Sequence, residues 1–249
     1  MFMKNDKKMI RDELRMSDLT IEEIDKAENR NLNLSLKAFP NEVVFYYEVR
    51  WLYENLFKSV PDESIPMGFL FKESGHCFMF GFQQLLRCHL VEAASSLRKA
   101  VESCSYAITM GSDFEKTKLW ILKDNDPKKF GQVIDQIKWK HPKTKPLKVV
   151  FDFLSNYSGH ANFMGQIQKF VIHDGFFTVG YFDVDTSDPK VSVMRQLNHC
   201  LDTHIKLLML YGDLFDEIKD NKKGWDQKIS DLSRKFKQYK ISVKSILDP

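Results

Sequence analysis

Residues 78–110, FMFGFQQLLRCHLVEAASSLRKAVESCSYAITM, carry the longest helical pattern of the chain, and their reading decides the fold. Phe82, Leu85, Leu86, His89, Leu90, Ala93, Leu97, Ala100, Val101, Cys104, Ala107 and Ile108 recur at spacings that keep one helix face apolar throughout. No proline interrupts the run, and Gly111 supplies a stop. The spacing predicts a single helix of ~50 Å, long enough to span a domain. Arg98 and Glu102 stand four residues apart beside the stripe. Charged groups are costly to bury unpaired, so this pair calls for a structural or a functional reason.

The flanking segments extend the helical reading. Residues 1–39 are polar and mixed in charge and read as a peripheral helical extension, with Thr20 and Glu23 forming a capping-box pattern ahead of Ile21 and Ile24. Val43, Val44, Tyr47, Trp51, Leu52 and Phe57 give a helix that ends before Pro61. After Gly111 come a helix from Phe114 to Leu122, a second from Pro127 to Trp139, and a third from Pro146 to about Tyr157. Asp188-Pro189 then reads as N-cap and first turn of a long helix with Val193, Leu197, Leu201, Ile205 and Leu208 on its apolar side.

Residues 168–182, QKFVIHDGFFTVGYF, break this pattern. Asp174-Gly175 is a strong two-residue hairpin turn and pairs Ile172 with Phe177 and Phe170 with Val179, so that one face is apolar. An isolated hairpin is marginal in water, which places this face against helices. The fold expected is therefore mainly α: a helical bundle over residues 40–220 with one docked β-hairpin at about 168–182, followed by a basic helical tail at 221–249.

Composition narrows the function classes. With 43% hydrophobic residues, 11 Gly and 8 Pro among 249 residues, the chain is globular and favours long helices over strands joined by turns. A net charge of +3 announces no global field, so any site for a polyanion must be local. No run approaches the roughly 18 apolar residues of a spanning helix, and the first residues lack an apolar stretch of secretory length, so the expectation is a cytoplasmic protein without membrane contact. Cys77, Cys88, Cys104 and Cys200 lack CxxC spacing and read as reduced, mostly buried thiols. Cys200 and His204 share a helix face but match no zinc motif, and DVDTSD at 183–188 lacks the glycine and closing Glu of a calcium loop. No metal or cofactor is expected. Phosphate-cradling, GxSxG, HExxH and dinucleotide-binding motifs do not occur.

Two constellations remain. Glu102 orients Arg98 toward an anionic ligand with help from His160, or the two form an ion pair that only fixes helix packing. KWKHPKTKPLK at 138–148 holds five lysines, one tryptophan and no acid; Lys138, Trp139, Lys140, Lys143, Lys145 and Lys148 suit phosphate gripping with base stacking, or a solvated loop. The tail from Lys219 to Lys244, with nine bases against three acids, adds to such a surface.

The blocks LLRCHLVEAASSLRKAVESCSYAI and FDFLSNYSGHANF resemble a group of bacterial and phage helical proteins in which a helix bearing L-R-x-x-x-E precedes one ending in L-S-x-x-x-H, distantly similar to HEPN (higher eukaryotes and prokaryotes nucleotide-binding) bundles. The matching residues are Leu97, Arg98, Glu102, Leu154, Ser155 and His160, with four residues instead of three between Ser155 and His160. The resemblance spans roughly residues 80–215. HEPN ribonucleases carry an arginine followed, after four to six intervening residues, by a histidine at a helix end; no arginine stands at that spacing before His160, and Arg87 to His89 and Arg195 to His199 are too close. The reading placed first is a helical protein acting through RNA or protein contacts, within a bacterial or phage defence or stress system as the resemblance implies. The alternative is a HEPN-like ribonuclease or nucleotide-modifying enzyme using His160 with Arg98 and Glu102.

Overall fold

A computed structural model describes residues 20–111, 113–136, 138–158, 170–173, 176–179, 189–217, 219 and 222–247. Its helices are α1 (Ile21–Ala38), α2 (Pro40–Glu54), α3 (Ile65–Leu86), α4 (Leu90–Met110), α5 (Phe114–Ile121), α6 (Pro127–Phe130), α7 (Lys145–Ser158), α8 (Pro189–Leu214) and α9 (Lys222–Leu247), with a π-helical segment at Gly131–Asp135. The Thr20 and Glu23 capping box is formed in both directions at the start of α1. Gly111, at φ +50°, ends α4.

The single long helix expected over residues 78–110 is two helices. Cys88 adopts φ +69°, the left-handed region, and the chain reverses there. The Cys88 N–H donates to the Leu85 carbonyl and the His89 N–H to the Gln84 carbonyl, which is the paired hydrogen-bond pattern of a Schellman helix end. Glycine normally fills this position because it has no Cβ to clash, so a cysteine there gave the sequence no visible stop. The consequence is that α3 and α4 pack against each other as an antiparallel pair.

α8 runs through the centre, packing on α2, α3, α4 and α9, and buries Leu197, Leu201, Leu207, Leu208 and Tyr211. Aromatic rings fill the space between: Tyr46 stacks on Phe78 and Phe82 at centroid distances of 5.2 and 4.7 Å, and Phe71 meets Tyr211 edge-on at 5.1 Å. Polar groups inside this core are matched locally. Ser74 Oγ bonds the Ala100 carbonyl and the Tyr211 hydroxyl, and that hydroxyl donates to the Leu70 carbonyl. α9, expected as a tail, contributes Trp225, Leu232 and Phe236 to the same core. The Trp225 indole N–H donates to the Leu52 carbonyl at 3.1 Å, and its ring lies where a Cβ on Gly212 would stand, 2.6 Å from Cζ3.

The docked hairpin expected at 168–182 is a correction: the architecture is a helical bundle, and a hairpin docked on it is not seen among the described residues. Phe170–His173 and Phe176–Val179 pair antiparallel with Phe170 opposite Val179 and Ile172 opposite Phe177, while Asp174 and Gly175 lie outside the described residues. Docking was a separate inference, and it required an open apolar face on the bundle. Among the described residues the core is built by helices packed on one another, and α8 and α9 both contribute to it.

Two outcomes follow from this packing. Cys88→Val, which places a branched Cβ at positive φ, should cost ~1–2 kcal/mol in denaturant unfolding, whereas Cys88→Gly should be tolerated; equal loss in both variants would show that the backbone angle is not what is being strained. His204 is fully buried between Tyr53 and Phe78, its Nδ1 2.9 Å from the Tyr53 hydroxyl, and burial pushes its pKa down to about 3. The unfolded chain takes up a proton near ~6.5 that the folded chain refuses. Stability present above that pH is therefore lost as pH falls from ~6.5 toward the folded value, at up to ~1.4 kcal/mol per pH unit. Urea midpoints followed over this acid limb should depend less on pH in His204→Phe than in the wild type, and superimposable curves would rule His204 out.

Candidate functional site

Arg98, Glu102 and Tyr106 lie one turn apart along α4, on the side that meets α7 and the π-helical segment. The ion pair that Glu102 makes among the described residues is with Lys138, at 2.6 Å, and Lys138 equally reaches Asp135 Oδ1 at 2.6 Å. Its third contact is the Tyr106 hydroxyl at 3.0 Å, and that hydroxyl donates to Asp135 at 2.8 Å. An ammonium has three N–H donors, so this geometry uses all of them. The Arg98 guanidinium sits over the Phe151 ring of α7, 5.6 Å from its centroid. Arg98 and Glu102 are thus neighbours in space that serve different partners, and His160 lies outside the described residues.

The environment of this cluster is apolar as well as charged. Lys138 is only 4% exposed and faces the rings of Tyr106, Trp139 and Phe151 at 4.4, 5.4 and 5.6 Å. Burial, reinforced by the hydrogen bond to Asp135, pushes the Tyr106 phenol up. Burial acts to raise Asp135 too, but the bonds from Lys138 and Tyr106 together with the Lys138 charge outweigh it, and its carboxyl is lowered. A saturated ammonium between two carboxylates presents no lone pair to a substrate. The cluster instead ties α4 to the π-helical turn, and Trp139, 4.9 Å from Phe151, ties that turn to α7.

This placement changes the expected nucleic-acid loop. Lys138 faces inward, Trp139 packs on Phe151, Lys143 pairs with Asp213 at 2.9 Å, and Lys148 pairs with Asp152. Lys140, Lys143, Lys145 and Lys148 are all exposed, but Lys143 and Lys148 are matched by carboxylates, so Lys140 and Lys145 are the exposed lysines of this loop without an ion pair among the described residues. Sequence reading treated the lysines as one loop. The spacing of Asp135 and Lys138, three residues apart, was the sign that one of them turns back on its own helix end.

A second place gathers positive charge on rigid elements. α8 and α9 bound a cleft of about 420 Å³, lined by Arg195, Asn198, His199 and Asp202 from α8 and by Lys237, Lys240, Ile241 and Lys244 from α9. Both sets repeat at three- and four-residue spacing, so two helix faces look at each other. Four bases face one acid. Asp202 accepts from Lys206 at 2.6 Å and from Lys240 at 3.0 Å, and these lower its carboxyl although burial alone would raise it. Neither Lys237 nor Lys244 is ion-paired among the described residues.

The floor of the cleft is polar and incompletely matched. His199 Nε2 is buried without a hydrogen-bond partner, and burial, more than the opposing pull of Asp202, lowers its pKa. Its ring meets Phe153 of α7 edge-on at 6.2 Å, and Phe153 is itself half exposed beside the cleft. Asn198 is 4% exposed; its Nδ2 donates to the Met194 carbonyl at 2.9 Å and to Glu42 at 3.3 Å, while Oδ1 is closed to solvent and has no hydrogen-bond partner among the described residues. Glu42 is buried and also accepts from the Tyr239 hydroxyl. The sequence offered a signal for this cleft in the basic tail, but which α8 face meets it is tertiary information. Cys200, on the same helix, is buried in the core, and burial pushes its thiol up to about 12.

In comparisons with known proteins, no family model, no curated protein and no solved structure matches the chain. Among the described residues, no helix is long and apolar enough to cross a membrane.

The Lys138 cluster predicts a stability effect without a binding effect. Lys138→Ala leaves two carboxylates and a phenol facing each other and should cost ~2–4 kcal/mol, somewhat below a fully buried pair because both acids are partly solvated. Lys140→Ala should stay within ~0.5 kcal/mol of the wild type. Comparable losses from both, read by denaturant unfolding, would remove the latch role.

Proposed function

We propose that the protein is a non-enzymatic helical contact protein that binds single-stranded RNA along the α8 and α9 cleft. The observation that carries this reading is the convergence of Arg195, Lys237, Lys240 and Lys244 on one cleft from two helices fixed in the core. Backbone neutralisation by such a groove supplies sequence-independent affinity, and an aromatic beside it supplies base stacking. Phe153, half exposed at the cleft edge, fills that second role. The resemblance to HEPN-like bacterial and phage proteins supports a place in a defence or stress system. RNA cleavage by His160 with Arg98 and Glu102 draws no support from the described geometry, because Lys138 engages Glu102 and Phe151 underlies Arg98.

The test is salt-dependent binding of an unstructured RNA oligomer, followed by fluorescence anisotropy. With roughly three phosphates neutralised, affinity should fall on the order of tenfold between 50 and 200 mM salt. The double variant Lys237→Glu/Lys244→Glu, both exposed positions, should weaken binding at least about tenfold and flatten the salt slope while leaving thermal stability unchanged. Binding that ignores salt and both reversals would exclude the cleft.

A further inference from the structure

We infer that the Asp202 carboxylate holds the place of a phosphate in the free protein, and that Lys240 passes from it to the phosphodiester when RNA enters the cleft. This rests on the RNA reading and names what the strand displaces there. Lys237, Lys240 and Lys244 follow one another along α9 at ~4.5 and ~6 Å of axial rise. Lys237 and Lys244 are without an ion pair among the described residues, whereas Lys240, between them, donates across the cleft to Asp202 Oδ1 at 3.0 Å. A backbone that follows the three lysines therefore brings negative charge up to the one carboxylate of the lining. Unless Lys240 changes partner, two anions compete for a single ammonium.

The surroundings of Asp202 allow that exchange. Both partners of the cross-cleft bond are open to solvent, Asp202 at 25% and Lys240 at 44% of the side chain, so a ligand oxygen can reach them. The other carboxylate oxygen, Oδ2, accepts at 2.6 Å from Lys206, one turn further along α8 and outside the cleft lining. When Lys240 leaves, Asp202 keeps this second cation, and no carboxylate is stranded without a partner. An ammonium on a four-carbon stem reorients without moving its helix, and α9 stays anchored by Trp225 and Phe236 in the core. Carboxylate and phosphodiester oxygens offer an ammonium the same kind of charged acceptor. In the free protein Asp202 offsets the repulsion of Lys240 by its two neighbours on α9, and in the complex the phosphate does so. Asp202 is thus a positioning residue, acting on RNA through Lys240.

The experiment is a double-variant cycle on the full chain, with an unstructured RNA oligomer at fixed salt and anisotropy as the readout. Asp202→Asn keeps the shape of the side chain and removes the competing charge, and it should tighten binding about two- to fivefold, the range of an ion pair that no longer has to be given up. In the Lys240→Gln background the same substitution should change nothing, because the residue it acts through is gone. An equal gain in both backgrounds is the signature of long-range charge alone and overturns the inference, as does no gain in the wild type; either leaves RNA contact by the cleft standing. No salt-dependent binding by the wild type overturns the proposed function itself. Carbon-13 NMR titration of the Asp202 carboxyl reads the exchange without any substitution. Burial acts to raise this carboxyl and the bonds from Lys206 and Lys240 hold it low, so saturation with RNA, which removes one bond and adds a phosphate, should move its midpoint up. A midpoint that stays in place or falls also overturns the inference, whatever the variants do.

Discussion

The positive φ at Cys88 is the constraint on which the rest of the bundle depends. It turns a stripe long enough for one rod into two helices lying side by side, and the groove between them is what α8 fills. A continuous helix would present its apolar stripe along a line, and a line cannot be closed by neighbours of ordinary length. Folding the stripe onto itself buries Phe78, Phe82 and Leu85 of α3 in one cluster with Ala93, Ala100 and Val101 of α4, while Leu97 turns to Leu154 of α7. The alanines of α4 are part of this geometry, because small side chains let the two axes approach. The Schellman hydrogen bonds at Leu85 and Gln84 satisfy the carbonyls that such a reversal would otherwise leave bare.

Once the pair is set, the polar groups caught within the bundle divide into two kinds. Ser74 with Tyr211, and Lys138 with Glu102, Asp135 and Tyr106, saturate one another and lock neighbouring helices. Asn198 Oδ1 and His199 Nε2 have no partner among the described residues, and although both residues line the cleft between α8 and α9, these two atoms are closed to solvent. His204 Nε2 is also unmatched, but it is enclosed by Tyr53 and Phe78, and it acts on stability through its proton and not on any ligand. The same chemical deficit thus occurs beside the cleft and in the aromatic core, and in neither place is the unmatched atom open to solvent.

Local signals were legible in the sequence and tertiary ones were not. The Thr20 capping box, the Gly111 stop and the proline that opens α8 are each set within a few residues, and each reads correctly from neighbours alone. Cys88 was missed because a left-handed residue other than glycine carries no compositional mark. The place of α9 in the core is tertiary information of the same kind, since a basic tail carries no local sign that Trp225, Leu232 and Phe236 are buried. Glu102 was read as the partner of Arg98, but its ion pair is with Lys138, from a segment read as a phosphate-gripping or a solvated loop. Lysine is the residue type for which that default is safest and, when a carboxylate sits three residues earlier, least informative.

The balance of charge along α9 shows why a protein with a net charge of only +3 can still hold a focused cationic surface. Trp225, Ile229, Leu232, Phe236 and Val243 bury one side of the helix, so its rotation about its own axis is fixed by packing. Trp225 fixes its translation as well, since the ring fits only where Gly212 leaves room and its N–H is bound to Leu52. With both degrees of freedom removed, Lys237, Lys240 and Lys244 are held facing α8 at their backbone, and only the side chains remain to be ordered by a ligand. Ordering cost is then confined to a few rotamers instead of a whole segment, which is where a flexible basic tail of the same composition would lose its affinity. The apolar face of α9 is therefore a determinant of the cleft as much as its lysines are.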